Sequence, residues 1–400
     1  MKHSSSIVLL TLIAMASPMA LNAFVPAMPD TARALNTDIP TIQLTFTLYL
    51  FTLAIGQLIS GPLADYYGRR PVMLAGLAIH TVGSLLAATA AGVETLILGR
   101  VLQALGGSAA MVLTRTIILD IYGKQQSAGK MGYLVMAIAI AQSIAPTLGG
   151  YLNLWYGWHV IFYFSVFIGI IFWFFALLGM EETCKQKTSE LSLTRALIQF
   201  KTVLQSRAYI GYALSTTFIA SGFYMFIGSA PYIVDLELGG SSADFGVWFL
   251  VVSLAFMAGS FLSTVLAKFL NIDRMIILGN SLSIAGMALL LLFSIQDQLS
   301  LLTLFAPMAV VTFGRGLSQP NAQTGAISSA EGATASASGL MGFIQLLTGA
   351  LIAQSMPFVL EHGTVAVMSC MLVAPILAMT AHLLTLRRAT PVANGQSPAQ

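Results

Sequence analysis

Long apolar runs recur along this chain and leave little room for anything between them. Each is about twenty residues, the length an α-helix needs to cross the hydrocarbon of a bilayer. Twelve can be drawn, at about 6–28, 42–62, 72–91, 95–119, 130–152, 158–179, 209–233, 245–268, 275–294, 299–325, 334–358 and 363–386. Charged residues are only 8% of the 400, against 57% hydrophobic ones. A soluble domain carries about a quarter charged residues, so most of this surface does not face water. The expected fold is an all-α membrane protein of twelve transmembrane helices. The first run, MKHSSSIVLLTLIAMASPMALNA, also has the make-up of a signal peptide. It continues through FVPAMP, and counting it as a span makes the total even.

Orientation follows from Lys and Arg, which favour the cytoplasmic side. Lys2, Arg69, Arg70, Lys124, Lys130, Lys185, Lys187, Arg195, Lys201, Arg207, Lys268, Arg274, Arg387 and Arg388 fall on one side of the twelve-span arrangement, and only Arg33 on the other. Both termini and the 180–208 segment are therefore expected in the cytoplasm. That segment is the one polar linker, and it sits at the midpoint. A shift of 203 residues lays GQLISGPLADYYGRRPVMLAG (56–76) over GSFLSTVLAKFLNIDRMIILG (259–279), superposing Gly56 on Gly259, Leu63 on Leu266, Ala64 on Ala267 and Gly76 on Gly279. The expected organisation is a six-helix half at 1–180, a cytoplasmic linker at 181–208, a second six-helix half at 209–388 and a disordered tail at 389–400. Internal repeats of this kind are common in secondary transporters.

Chemistry-bearing patterns are sparse. Cys184 and Cys370 have no metal-type spacing, and no nucleophile–base pair or phosphate loop is present, so neither an enzyme nor a metal or cofactor site is indicated. The net charge of +3 is dispersed among loops rather than gathered into a nucleic-acid footprint. One charged stretch stands out, GPLADYYGRRPVML at 61–74, between the second and third spans. It resembles the signature of the major facilitator superfamily, G-x-L-x-D-x-x-G-R-[RK], through Gly61, Leu63, Asp65, Gly68, Arg69 and Arg70. GRVLQALGGSAA (99–110) is similar to the superfamily's fourth-helix pattern, with Arg100 and Gln103, although Ala104 replaces a usual glycine. APTLGG (145–150) is similar to the fifth-helix antiporter pattern, with Ala145 for its first glycine. IQLTFTLYLFTLAIGQLISGPLAD, GFYMFIGSAPYIV (222–234) and Pro320, Asn321 and Ala322 resemble the Bcr/CflA branch, which includes bicyclomycin, chloramphenicol and florfenicol exporters.

The resemblance assigns roles. Asp65 latches the two halves in the outward-facing state by bonding to the eleventh helix. Arg69 pairs with it, Asp120 is a third member of the charge cluster, and Gly61 and Gly68 allow close helix approach and a tight turn. Arg70 needs no more than a positive-inside anchor. Pro146, Gly149 and Gly150 bring the fifth helix to the interface between halves; the plain alternative is an ordinary helix bend. Helices one, four, seven and ten line the cavity. Arg100 then serves proton transfer, or snorkels to the headgroups; Arg115 lies where snorkelling is easy; Arg315 is a cavity charge. His80 reads as a packed histidine. Of Phe223, Tyr224, Met225 and Phe226, consecutive on one helix, only one or two can face a drug pocket, and Tyr49 and Gln142 are further cavity candidates.

One departure matters. The branch carries an Asp in the first helix, D-x-x-x-P, and here the pattern reads Asn22, Ala23, Phe24, Val25, Pro26. An amide cannot take up and release a proton as a carboxylate can. No Asp or Glu falls in the centre of any span; Asp30, Asp38, Glu94, Asp235, Glu237, Asp244, Asp297 and Glu361 lie at one set of helix ends and loops. Asp65, Asp120, Glu181, Glu182, Glu190, Asp273 and Glu331 lie at the other. Proton coupling is then left to Asp30, another rim carboxylate or the substrate itself, and neutral or anionic substrates suit the interior better than cations. The expected function is a monomeric inner-membrane exporter of small amphipathic drugs or metabolites, exchanging them for protons. The alternatives are a dedicated exporter of an anionic metabolite or siderophore, an uptake symporter, and a sensor that does not transport.

Overall fold

The computed structural model describes residues 6–184, 200–330 and 334–389. The central part of the linker and the tail, with Lys2, Lys185, Lys187, Glu190, Arg195 and Glu331, lie outside the described residues, as do the side chains of Lys124, Arg387 and Arg388. Among the described residues, twelve helices are long and apolar enough to cross a membrane. In chain order they are α1 (Ile7–Ala34), α2 (Ile39–Tyr67), α3 (Arg69–Ala88), α4 (Val93–Gly123), α5 (Gly129–Tyr156) and α6 (His159–Gly179), then α7 (Arg207–Leu236), α8 (Ser242–Leu266), α9 (Ile272–Ile295), α10 (Leu301–Ser328), α11 (Ser336–Leu360) and α12 (Thr364–Leu386). The apolar runs place every one of them. Several starts move outward by a few residues because polar caps lie beyond the apolar run: Asp38, Ser206, Ser241 and Asn271 each accept a backbone N–H of the first turn, while Ser300 does so just inside the expected tenth span.

Two sets of six helices repeat one packing scheme. In the first set α4 packs on α1, α2 and α3; in the second α10 packs on α7, α8 and α9. The sets meet chiefly where α2 lies against α11 and α5 against α8. With lipid as apolar as the side chains, helices associate through close van der Waals contact, which small residues permit. The glycines paired by the 203-residue shift sit at matching crossings. A Cβ at Gly76 of α3 would lie 2.7 Å from that of Ala109 on α4, and one at Gly279 of α9 would lie 2.7 Å from the backbone nitrogen of Ser318 on α10. Gly56 of α2 meets Ser108 of α4, and Gly259 of α8 meets the Phe313 carbonyl of α10.

Gly61 differs. No heavy atom lies within 4 Å of where its Cβ would be, so the close approach expected from its place in the motif is not made in this structure. Gly76→Leu and Gly279→Leu are each expected to destabilise the protein by about 1–3 kcal/mol, the cost of overpacking a tight crossing. Gly61→Ala should leave the thermal unfolding of the detergent-solubilised protein unchanged.

Candidate functional site

A cavity of about 120 Å³ lies between the two sets of helices. One wall is Leu21 and Asn22 of α1, Phe46 of α2 and Ala139, Gln142 and Ser143 of α5. The other is Phe223, Tyr224 and Ile227 of α7, four residues of α8, and Thr312 and Arg315 of α10. Asn22 sits just before a break in α1, where Val25–Ala27 forms a 3-10 turn with Pro26 inside it. Its amide donates to the Pro18 carbonyl at 2.8 Å. Pro18 and Pro26 have no backbone N–H to give, so the carbonyls of Ala14 and Asn22, one turn before them, lose their helical partner. Arg315 enters the cavity from α10. Its Nε donates to Gln319 Oε1 at 2.7 Å, and its guanidinium carbon lies 4.3 Å from the Phe223 ring centroid and 5.0 Å from that of Phe256. Among the described residues no Asp or Glu lines this cavity.

Three expectations about the lining need correction. Helix α4 contributes nothing to the cavity, whereas α2, α5 and α8 do. Tyr49 does not line it either: its hydroxyl shares a 2.8 Å hydrogen bond with Ser17 Oγ, and its ring lies 4.2 Å from the Arg100 guanidinium. Arg100 neither faces the cavity nor snorkels. It is fully buried inside the first six helices. There it donates to the Ala20 carbonyl at 3.1 Å and to Gln103 Oε1 at 2.6 Å, under the rings of Tyr49, Phe24 and Phe162. The cause is the three-residue step from Arg100 to Gln103, which puts both on the face of α4 that α1, α2 and α3 cover. Gln103 in turn donates to Ser84 Oγ, and its carbonyl meets His80 Nδ1, both at 2.8 Å or less, so His80 is a packed core histidine. Arg115 keeps its side chain exposed. Phe226 is buried against Phe305, leaving Phe223 and Tyr224 as the cavity members of their run.

The end of the bundle that holds Arg33 is closed. Arg33 of α1 grips both oxygens of Asp235 on α7, the second at 2.9 Å, and reaches Asp30 at 2.5 Å. Asn153 of α5 donates to the other Asp30 oxygen at 2.5 Å and to Ser242 Oγ of α8 at 3.0 Å. Asp235 lies in a π-helical turn, Ile233–Glu237, that follows Pro231, and the widened turn carries the carboxylate to Arg33. Below this network the backbones touch. A Cβ at Gly149 would overlap the Ala23 carbonyl, one at Gly150 the Ser242 carbonyl and one at Gly246 the Pro146 carbonyl. Pro146, Gly149 and Gly150 thus lie where α5 meets α1 and α8. Thr147 Oγ1 adds a 2.7 Å bond to the Gly246 carbonyl.

At the opposite end Arg69 joins Asp65 at 2.5 Å and Asp120 at 3.2 Å. Gly68, at φ +110°, makes the turn from α2 into α3. Arg70 donates to the Leu177 carbonyl at 2.8 Å. A further acid belongs to this cluster. Glu182 accepts the backbone N–H groups of Arg69 at 2.9 Å and Arg70 at 3.2 Å, capping α3. Burial pushes its carboxyl up, but the backbone donors of Cys184, Arg69, Arg70 and Thr183 together outweigh this and hold it below the usual range. All the residues named around Asp65 belong to the first six helices and the chain just after them.

The family model described as Major Facilitator Superfamily matches residues 10–353. The chain belongs to that superfamily. It is 31% identical over 337 residues to a chloramphenicol resistance protein of Pseudomonas aeruginosa, covering 81% of this chain and 77% of the relative. It is 27% identical over 356 residues to multidrug resistance protein D of Escherichia coli K12, covering 88% of each. A crystal structure of a D-xylose–proton symporter shares the fold, with a TM-score of 0.78 at 14% identity over 95% of this chain and 96% of that one. The protein is therefore a multi-pass membrane transporter of this superfamily.

Two sets of residues escaped sequence reasoning. Arg33, Asp235, Asn153 and Ser242 are spread over more than 200 positions and share no motif; the only hint was that Arg33 is the lone basic residue on its side. His382, fully buried, 3.6 Å from Asp273 and beside Tyr212, carried no pattern at all.

Two outcomes are expected of this superfamily member. Asp235→Asn removes the charge that holds α7 to α1, so spin labels at Asn36 and Glu237, in a chain with Cys184 and Cys370 replaced by serine, should shift from one short distance to a longer, broader distribution. An unchanged distribution would mean that the backbone contacts alone close this end. Arg100→Met keeps most of the volume of the side chain and removes the cost of burying a charge that has no carboxylate partner among the described residues. The variant should stay folded in thermal unfolding while Arg100→Ala, which leaves a cavity, does not.

Proposed function

We propose that this transporter exports small amphipathic molecules from a bacterial cell across the inner membrane in exchange for protons. The observation that carries the reading is the cavity shared by both sets of helices, lined by aromatic rings and neutral amides and shut off at the Arg33 end. Adaptable apolar walls with a few polar groups suit varied small ligands. The names of the chloramphenicol and multidrug resistance relatives support drug efflux, and Pro146, Gly149 and Gly150 at the α5–α8 contact support exchange rather than uptake.

In this reading residues 1–180 and 209–388 are two halves that rock about the cavity, joined by a cytoplasmic linker at 181–208. Residues 389–400 form a cytoplasmic tail, and both termini are cytoplasmic, as the Lys and Arg distribution supports. Asp65, Arg69 and Asp120, with Gly61 and Gly68, form the latch that closes the cytoplasmic end once the Arg33 end has opened. The open space at Gly61 is the place α11 would fill. Asn22 provides no proton site, so the carboxylates available to exchange protons are Asp30 and Asp235, whose partner Arg33 must let go when the end opens.

A bacterial strain stripped of its own efflux pumps should accumulate several-fold less chloramphenicol when it expresses this chain. A protonophore should abolish the difference. Asp65→Asn should remove most of the efflux at unchanged membrane levels, because among the described residues its side chain pairs with Arg69 at a helix end rather than within the core. Equal accumulation with and without the wild-type chain would overturn drug efflux, and full efflux by Asp65→Asn would overturn the latch.

A further inference from the structure

We propose that Arg315 is an anion subsite and that the cavity takes small aromatic carboxylates, with the acid group on the guanidinium and the ring between the phenylalanines. The direction of transport rests on the efflux reading above; the binding does not.

The guanidinium is oriented but not satisfied. Its Nε is committed to Gln319 Oε1 at 2.7 Å, and the rings of Phe223 and Phe256 flank its carbon at 4.3 and 5.0 Å. Among the described residues no carboxylate pairs with it, and neither terminal nitrogen donates a hydrogen bond. Arg100 shows what a structural buried arginine looks like here: its Nε and Nη2 are sealed away from any space. The terminal nitrogens of Arg315 are not sealed, and the residue lines the cavity. A planar fork of free donors, held in place at its third nitrogen, matches the two oxygens of a carboxylate.

The rest of the lining decides what accompanies the charge. Phe46, Phe223, Phe249 and Phe256 offer ring faces, and Asn22 and Gln142 on the opposite wall offer amides without charge. A cationic ligand would add a second positive charge to a cavity with no acid to answer either. A carboxylate supplies the missing counter-ion, and an ion pair in such surroundings is far less costly than either charge alone. Tyr224 stands on the same wall and contributes a hydroxyl rather than a competing charge.

The test uses the full chain purified into lipid nanodiscs and three near-isosteric probes: 1-naphthoate, 1-naphthamide and 1-naphthylmethylammonium. Calorimetric binding should favour the acid over the amide by about tenfold, the gain when the acceptor as well as the arginine donor is charged. The ammonium should bind more weakly than either. Arg315→Gln should reduce the acid to the affinity of the amide, while Arg315→Lys keeps part of the preference. Asn22→Asp, placing a negative charge in the facing wall to balance Arg315, should remove most of the preference for acid over ammonium. This arm reads the subsite even where Arg315→Gln fails to fold. Equal binding of acid and amide by the wild-type chain, or an acid preference that survives in folded Arg315→Gln, would overturn the proposal. Acid preference in nanodiscs without drug efflux in cells would support the subsite and sink the export reading. Efflux without acid preference would sink the subsite and leave export standing.

Discussion

Hydrocarbon cannot solvate a guanidinium, and the interior of this protein is arranged around that fact. Two arginines lie deep in corresponding helices, Arg100 in α4 and Arg315 in α10, and the same device holds each. A glutamine one turn onward accepts a hydrogen bond, Gln103 for the first and Gln319 for the second, and aromatic rings cover the charge. Neither pairs with a carboxylate among the described residues. The two differ in what is left over. Around Arg100 helices α1, α2 and α3 close completely, and the residue becomes part of the core of its six-helix set. Around Arg315 the neighbours stop short, and its free donors look into the space between the sets.

The remaining architecture keeps that space between rigid walls. Within each set, glycines at matching crossings bring α3 onto α4 and α9 onto α10, so the helices have little freedom to slide. Between the sets the contacts are fewer and lie toward one end. There Gly149, Gly150 and Gly246 allow backbone against backbone, and Arg33 shares itself between Asp30 and Asp235. At the opposite end the charges around Arg69 are satisfied within the first set. Two six-helix sets, each tightly packed and lightly held to the other, fit the rocking proposed above.

Much of this was written in the linear sequence and some could not have been. The twelve spans were legible because a bilayer demands uninterrupted apolar length, and the correction at the ends came from polar caps that hydropathy does not weigh. The turn at Gly68 and the meeting of Asp65, Arg69 and Asp120 follow from a motif confined to one loop and an adjacent helix end. Tyr49 was misplaced because helical spacing says which residues share a face but not what covers that face; a buried arginine, not a ligand, turned out to be its neighbour. The Arg33 cluster was invisible for a plainer reason. Its members come from α1, α5, α7 and α8, and only the three-dimensional packing makes them a set.

The walls of the cavity are unequal, and in the export reading proposed above this decides which of them a bound molecule travels with. Arg315, Phe223, Phe249 and Phe256 all belong to the second six helices, whereas the first six present amides, a serine, a lone phenylalanine and small aliphatic groups. Grip is thus concentrated on one body and slip on the other. Under the rocking proposed above, a passenger anchored at Arg315 would keep its seat on the α7–α12 side while the α1–α6 side swept across it. In that reading, release waits for the first six helices to draw back and let water replace the acid group on Arg315.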